Sequence, residues 1–397
     1  MRFDDARACV IEHVTEARVM APPEEVALDN AAGRVLAENV LADRDLPALA
    51  RSVRDGFAVH AEEVPGTLRV VGEVRAGDRF EGAVGHGEAI EIMTGAPVPH
   101  GANAIIMVEH VTRLPDGAVR TEHAAEPGQF INPQGCEARA GEPLLTPGKR
   151  LDFADVALLA TVGKSRVPVY ARPRVALLAT GDEIVAVTEK PREFQIRNSN
   201  VYSLAAQVAR AGGVPEILPV AKDEYEDTLR LVERGLASDL LLISGGVSAG
   251  KYDMVERVLA DLGAEFFFDR VLIQPGQPLV FGRMQEKFFF GLPGNPASTM
   301  VTFELFARAS IGLLGGEMQA DLPLMVAPLT RDFRHKTGLT RFLPATVCWT
   351  RSGPQLTPIG WRGSGDVPAL TRANAFLVAD EDRAEWKAGE WMRVLLK

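Results

Sequence analysis

From Arg174 onward, short unbroken apolar runs alternate with segments whose apolar residues recur every three or four positions. Val175 to Ala179 (VALLA) has no polar interruption, the pattern of a strand buried on both faces of a parallel sheet. In NSNVYSLAAQVARAGG, residues Val201, Leu204, Ala205 and Val208 fall at i, i+3, i+4 and i+7, with Ser199 or Asn200 as cap and Gly212 as stop. That spacing predicts a helix. Leu229, Val232 and Leu236 mark a second helical face, DLLLIS the next strand, and Val255, Val258, Leu259 and Leu262 a third helix that Asp253 can cap. AEFFFD reads as a strand and PLVFGR with KFFFGL as a hairpin. LPGNPAS opens a last helix with Asn295 as cap and Pro296 in its first turn, and GLLGG ends it. Strand and helix alternating in this way predict a central doubly wound, mostly parallel sheet over residues 172–316.

The flanks are different. Residues 46–136 carry short β-type runs (LRVVGEVRAG, EAIEIMTG, NAIIMVEHV) separated by Gly, Pro and Asn, which predicts a small β domain. It interrupts a connecting layer formed by residues 1–45 with 137–171, which opens on a helix through Val10 and Val14. After Gly316, the runs ADLPLMVAPLTRDF, TRFLPATVCW, QLTPIGW and AFLVADE predict a C-terminal β barrel over residues 317–397. The fold class expected is therefore multidomain α/β.

Composition narrows the function. Apolar residues at 46% and charged residues at 24% are those of a globular chain, and 397 residues allow two to four domains. A formal charge of −10 argues against nucleic acid as a partner, because phosphate backbones are held by clustered Lys and Arg. The acidic start MRFDDARACVIEHV is not a signal peptide, and no run of about 18 apolar residues stands out as a membrane span, so a cytoplasmic location is expected. Cys9, Cys136 and Cys348 show no metal-binding spacing and read as packing residues, Cys136 in a polar loop.

Both VALLATGDE and DLLLISGGVSAG end in small hydroxyl and glycine residues, at the strand ends where open parallel sheets bind ligands. Gly181, Gly245, Gly246 and Gly250 let the backbone approach a phosphate, and Thr180, Ser244 and Ser248 can donate to it. Singly, such glycines do no more than turn the chain; two loops together with LPGNP favour a binding site. Neither a G-x-G-x-x-G nor a Walker sequence is present. Four carboxylates accompany the loops: Asp55, Glu183, Asp223 and Asp253. Acids beside a phosphoanhydride hold Mg²⁺ or position water. Structurally, Asp253 reads as a helix cap, Asp223 as a solvated helix start and Asp55 as a turn residue before Gly56.

SVRDGFAV (52–59), IMTGAPVP (92–99), TGDE (180–183), SGGVSAGKYD (244–253) and LPGNPAS (292–298) resemble, in order, the signatures of the molybdopterin molybdenumtransferase family, which is related to the gephyrin E domain. The resemblance implies an elongated homodimer of four-part subunits, with the sheet domain of one facing the Asp55 and Thr94 region of the other. It implies adenylylated molybdopterin and molybdate as substrates, Mg²⁺ as cofactor, and AMP as product. By the same resemblance, Asp55, Thr94, Glu183, Asp223 and Asp253 carry catalysis, and Glu183, Asp223 and Asp253 hold the metal. The pterin and its phosphate fall to Thr180, Gly181, Asp182, Ser199, Asn200, Ser244, Gly245, Gly246, Val247, Ser248, Pro293, Gly294, Asn295, Pro296 and Ser298. The oxyanion falls to Gln274, Gln277, Arg341 and Ser364. Other cofactor-assembly proteins and recipient apo-enzymes are the implied partners.

Two segments depart from the family pattern. QPGQP places Gln274 and Gln277 where the family has lysines, and INPQGCEARAG places Asn132, Pro133, Gln134 and Cys136 where it has charged residues. Glutamine donates hydrogen bonds but neutralises no charge, so weaker oxyanion affinity follows. Three readings compete: an insertase, supported by the four acids; a non-catalytic molybdopterin-binding or delivery paralogue, supported by the lost cations; and a scaffold, supported by family analogy alone.

Overall fold

The computed structural model describes residues 1–246 and 254–397; the expectations for Val247, Ser248 and Asp253 lie outside the described residues. Two compact units are present, one made of residues 1–37, 147–152 and 167–397, the other of residues 38–146 and 153–166.

The larger unit is organised on a six-stranded sheet in the order Val214–Ile217, Arg174–Ala179, Leu240–Ser244, Lys287–Leu292, Val280–Met284, Glu265–Phe268. The first four strands run parallel. Val280–Met284 is antiparallel to both neighbours, as the hairpin reading requires. Because successive side chains of a strand face opposite ways, Val175, Leu177 and Ala179 enter one core while Ala176 and Leu178 enter another. Helices Phe3–Ala17, Asn200–Arg210 and Pro296–Leu314 cover the first face; Tyr225–Gly235 and Met254–Asp261 cover the second. Burial on both faces is why these strands read as continuous apolar runs.

Pro296–Leu314 is long and apolar enough to cross a membrane, but 83% of it is buried among core residues such as Phe303 and Phe306. Its middle turn, Phe303–Ala307, is π-helical. There Glu304 is buried and accepts from Gln207 (2.7 Å) and Arg210 (2.5 Å) of the neighbouring helix. The same unit holds a second sheet, Ile273–Gln274, Thr340–Thr350, Ala375–Ala379, Trp391–Leu396 and Leu324–Pro328 in that order, with Gly353–Pro358 paired to Thr340–Thr350. Ala327, Val347, Leu356, Leu377, Trp386 and Val394 form its core. Cys348, read as a packing residue, projects outward and is exposed, as is Cys136.

The smaller unit carries a six-stranded sheet, Ala104–Met107, Gly56–Val59, Glu88–Ile92, Gly66–Val74, Val119–Thr121 and Val111–Arg113, and the helix Phe153–Thr161. Gly56 is required by close approach, since a Cβ there would lie 1.9 Å from the Ile106 carbonyl oxygen.

Candidate functional site: a cavity at the sheet edge

A cavity of about 760 Å³ opens where the central parallel strands end. Thr180 and Gly181 continue one strand, Ser244 to Gly246 the next, and Pro293 to Pro296 the third, and all of these residues line it. Backbone hydrogen bonds lock the edge: Thr180 N–H donates to Ser244, Gly181 N–H to Ala221 and Gly245 N–H to Leu292, each at 3.2 Å. At Gly245, φ is +93° and a Cβ would lie 2.9 Å from the Thr180 carbonyl oxygen, so the approach of the two loops depends on glycine.

Asn200 begins its helix, but Ser199 at the cap position makes no side-chain capping bond. Instead the Asn200 amide nitrogen donates to Ser244 Oγ (2.8 Å) and to the Gly294 carbonyl (2.7 Å). A carbonyl only accepts, so this contact fixes which end of the amide is nitrogen. The opposite atom, Asn200 Oδ1, is buried without a partner among the described residues, as is Thr180 Oγ1. Buried polar atoms normally find partners, and both of these residues line the cavity. Asn295, expected as a cap, likewise makes no capping bond through its side chain, while Pro296 occupies the first turn as expected.

Glu183, Asp223 and Ser199 also line the cavity. Asp182 does not; its carboxylate accepts the Asp223 N–H at 3.3 Å and so shapes that turn. Ser298 is buried one turn inside its helix, with its carbonyl taken by Thr302 Oγ1. Among the described residues no group of three His, Cys, Asp or Glu side chains is arranged to hold a metal ion.

Asp55 and Thr94 belong to the smaller unit. Thr94 donates to Asp55 Oδ1 twice, from its N–H (2.6 Å) and its hydroxyl (2.8 Å). These bonds, the N–H first, hold the Asp55 carboxyl below its ordinary pKa. None of the four expected oxyanion residues lines the cavity. Gln274 pairs in register with Arg341 across two parallel strands. The Gln277 carbonyl accepts from Val271 and Leu279. Ser364 presents its carbonyl to the Ala297 N–H at 2.8 Å, at the start of the helix that borders the cavity.

Residues 1–163 match the MoeA N-terminal region (domain I and II), residues 176–312 the probable molybdopterin binding domain, and residues 326–397 the MoeA C-terminal region (domain IV). A molybdopterin molybdenumtransferase of Bacillus subtilis (strain 168) is 34% identical over 384 residues, covering 94% of this chain and 89% of that one. The chain belongs to the molybdopterin molybdenumtransferase family. A family member from Staphylococcus aureus (strain COL) is 29% identical over 394 residues, 97% of this chain and 94% of its own. The crystal structure of a molybdopterin biosynthesis MoeA protein from Pyrococcus horikoshii OT3 superposes with a TM-score of 0.81 at 28% identity, covering all of both chains. A second Pyrococcus structure gives 0.74 at 31% identity, over 100% of this chain and 98% of that one.

Within this family member the cavity has further walls that the sequence did not single out. Arg197 and Asn198 precede the capping segment, and Thr228 faces the cavity from the next helix, its hydroxyl bonded to the Lys222 carbonyl at 3.2 Å. Arg197 was visible as the one cation of QIRNSN, but only the fold brings it onto the same cavity lining as Glu183 and Asp223. Thr228 gave no signal, since a threonine inside a helical pattern reads as surface or core.

Proposed function

We propose that this chain acts in molybdenum cofactor biosynthesis, binding adenylylated molybdopterin in the sheet-edge cavity, inserting molybdate and releasing AMP. The observation that carries this reading is the pairing of a glycine-walled edge with two cavity-facing carboxylates, Glu183 and Asp223, that have no ion-pair partner among the described residues. Thr180 Oγ1 can donate to a phosphate oxygen. Asn200 Oδ1 can only accept, so it calls for an N–H or amino group such as the edge of a pterin ring.

The donor set fits Mg²⁺, which needs one or two hard carboxylate oxygens beside phosphate and water. Glu183 and Asp223 would hold it, with Asp253 as a further ligand. Bound there, it would neutralise charge building on the phosphoanhydride. Asp55, kept ionised and aimed by Thr94, would orient the attacking water; Gly245, Gly246 and the Pro293–Pro296 turn would hold the phosphate. Arg341, Ser364, Gln274 and Gln277 would receive molybdate.

We further read the subunit as four parts, with a doubly wound sheet domain (172–316), an inserted β domain (46–136), a connecting layer and a C-terminal barrel. The working unit is a cytoplasmic homodimer in which Asp55 and Thr94 of one subunit complete the cavity of the other. A delivery protein without insertase activity is the second reading, favoured by the neutral Gln274 at the position paired in register with Arg341. The test is to incubate the protein with adenylylated molybdopterin, Mg²⁺ and molybdate while following AMP and inserted metal together. Release of AMP with metal insertion supports the insertase. Tight pterin binding with neither activity establishes the delivery reading.

A further inference from the structure

Arg341 is a partly buried guanidinium with no carboxylate partner among the described residues. Burial lowers its pKa. A charge left in that state invites an anion. Its Nε is already engaged: it lies 2.8 Å from His335 Nδ1 and 3.1 Å from the Lys336 carbonyl, while His335 Nδ1 itself contacts that carbonyl. In either ring tautomer the Arg341 Nε–H has an acceptor within this triangle, and the two terminal nitrogens have no partner among the described residues. The His335 ring is held in turn, stacked on Trp386 at 5.2 Å with Phe333 beside it. Its backbone N–H is fixed to the Ala384 carbonyl at 3.0 Å. His335 has no role in any expectation drawn from the sequence.

We propose that His335 is a positioning residue for oxyanion binding: with the Lys336 carbonyl it occupies Arg341 Nε and presents the guanidinium's outer edge to a tetrahedral oxyanion. This rests on the reading of Arg341 as an oxyanion ligand. Planar guanidinium recognition is directional, so an Arg341 free to swivel binds less well than one held in place. Gln274, paired in register with Arg341, increases the dependence on this aim, since a glutamine adds no charge at that position.

The test measures molybdate binding to the full chain by calorimetry for wild type, His335→Phe, His335→Asn and Arg341→Ala. Phe preserves the stack on Trp386 and removes Nδ1; Asn can restore a polar atom near that position. The expected result is a loss of roughly tenfold in affinity for His335→Phe, the scale of one charge-assisted hydrogen bond, and recovery of most of it in His335→Asn. In turnover, the KM for molybdate rises while kcat stays within about twofold, the signature of lost binding without lost chemistry. Wild-type affinity in His335→Phe, or equal losses in the Phe and Asn variants with a lowered melting temperature, overturns the proposal. If Arg341→Ala also binds like wild type, the oxyanion reading of Arg341 fails as well; if it abolishes binding, only the role of His335 falls.

Discussion

Asn200 and Gly294, 94 residues apart in the chain, are joined by a 2.7 Å hydrogen bond from the amide nitrogen to the glycine carbonyl. The bond ties the start of one cavity helix to the turn that opens another, and it leaves Asn200 Oδ1 buried without a partner among the described residues.

Replacing Asn200 with Asp is therefore expected to harm more than replacing it with Ala. A carboxylate would set an acceptor against the Gly294 carbonyl and Ser244 Oγ, whereas Ala only deletes two bonds. Loss of stability of about 1–2 kcal/mol is expected for Ala and more for Asp, by thermal unfolding. Pterin affinity should fall at least tenfold in both; retention in either variant would remove Asn200 from the binding surface.

Gly245→Ala should cost about 1–3 kcal/mol, because its φ of +93° strains an L-residue and the new methyl would press on Thr180. The loss should appear as a lower unfolding midpoint together with weaker binding of the adenylylated pterin. Normal binding at a lowered midpoint would show that the loop's approach matters to the fold alone.

Removing the Thr94 hydroxyl with Thr94→Val should raise the Asp55 pKa toward its ordinary value, though not fully, since the backbone N–H remains and is the larger cause. The sign follows from the carboxylate accepting both bonds: the folded state favours the ionised form, so its contribution holds above the unfolded value and fades as pH falls through the folded one, near and below about pH 4. Carboxyl titration by NMR in wild type and Thr94→Val reads this directly. An unshifted Asp55 in the variant would refute it.

Restoring cations with Gln274→Lys and Gln277→Lys should strengthen molybdate binding, by roughly tenfold if both side chains reach the anion. Unchanged affinity would mean that Arg341 and its neighbours suffice alone.

The parallel sheet was legible because its strands are buried on both faces: VALLA and LLLIS carry no alternation to confuse with an exposed strand. The helix from Asn200 was equally plain in its spacing, yet the cap expected at Ser199 or Asn200 makes no side-chain capping bond. Asparagine at a helix start signals a cap, and nothing local reveals that its side chain reaches Ser244 and Gly294 instead. Arg197, Thr228 and His335 were missed for a related reason, since their partners come from distant segments that no periodicity connects. Glu183 and Asp223 stand out in the sequence because acids beside glycine loops carry chemical meaning without a fold, and both line the cavity, whereas Asp182, equally acidic, accepts a backbone N–H.

The hydrogen bond from the Ala297 N–H to the Ser364 carbonyl ties the loop that follows the strand Gly353–Pro358 to the helix that borders the cavity. Exchanging the C-terminal segment between relatives as an independent cassette would therefore disturb the cavity too wherever that loop differs in length or path. Because the bond joins backbone to backbone, a chimera cut near residue 317 keeps it whatever the side chains, provided the loop around Ser364 keeps its length and path to the LPGNPAS turn.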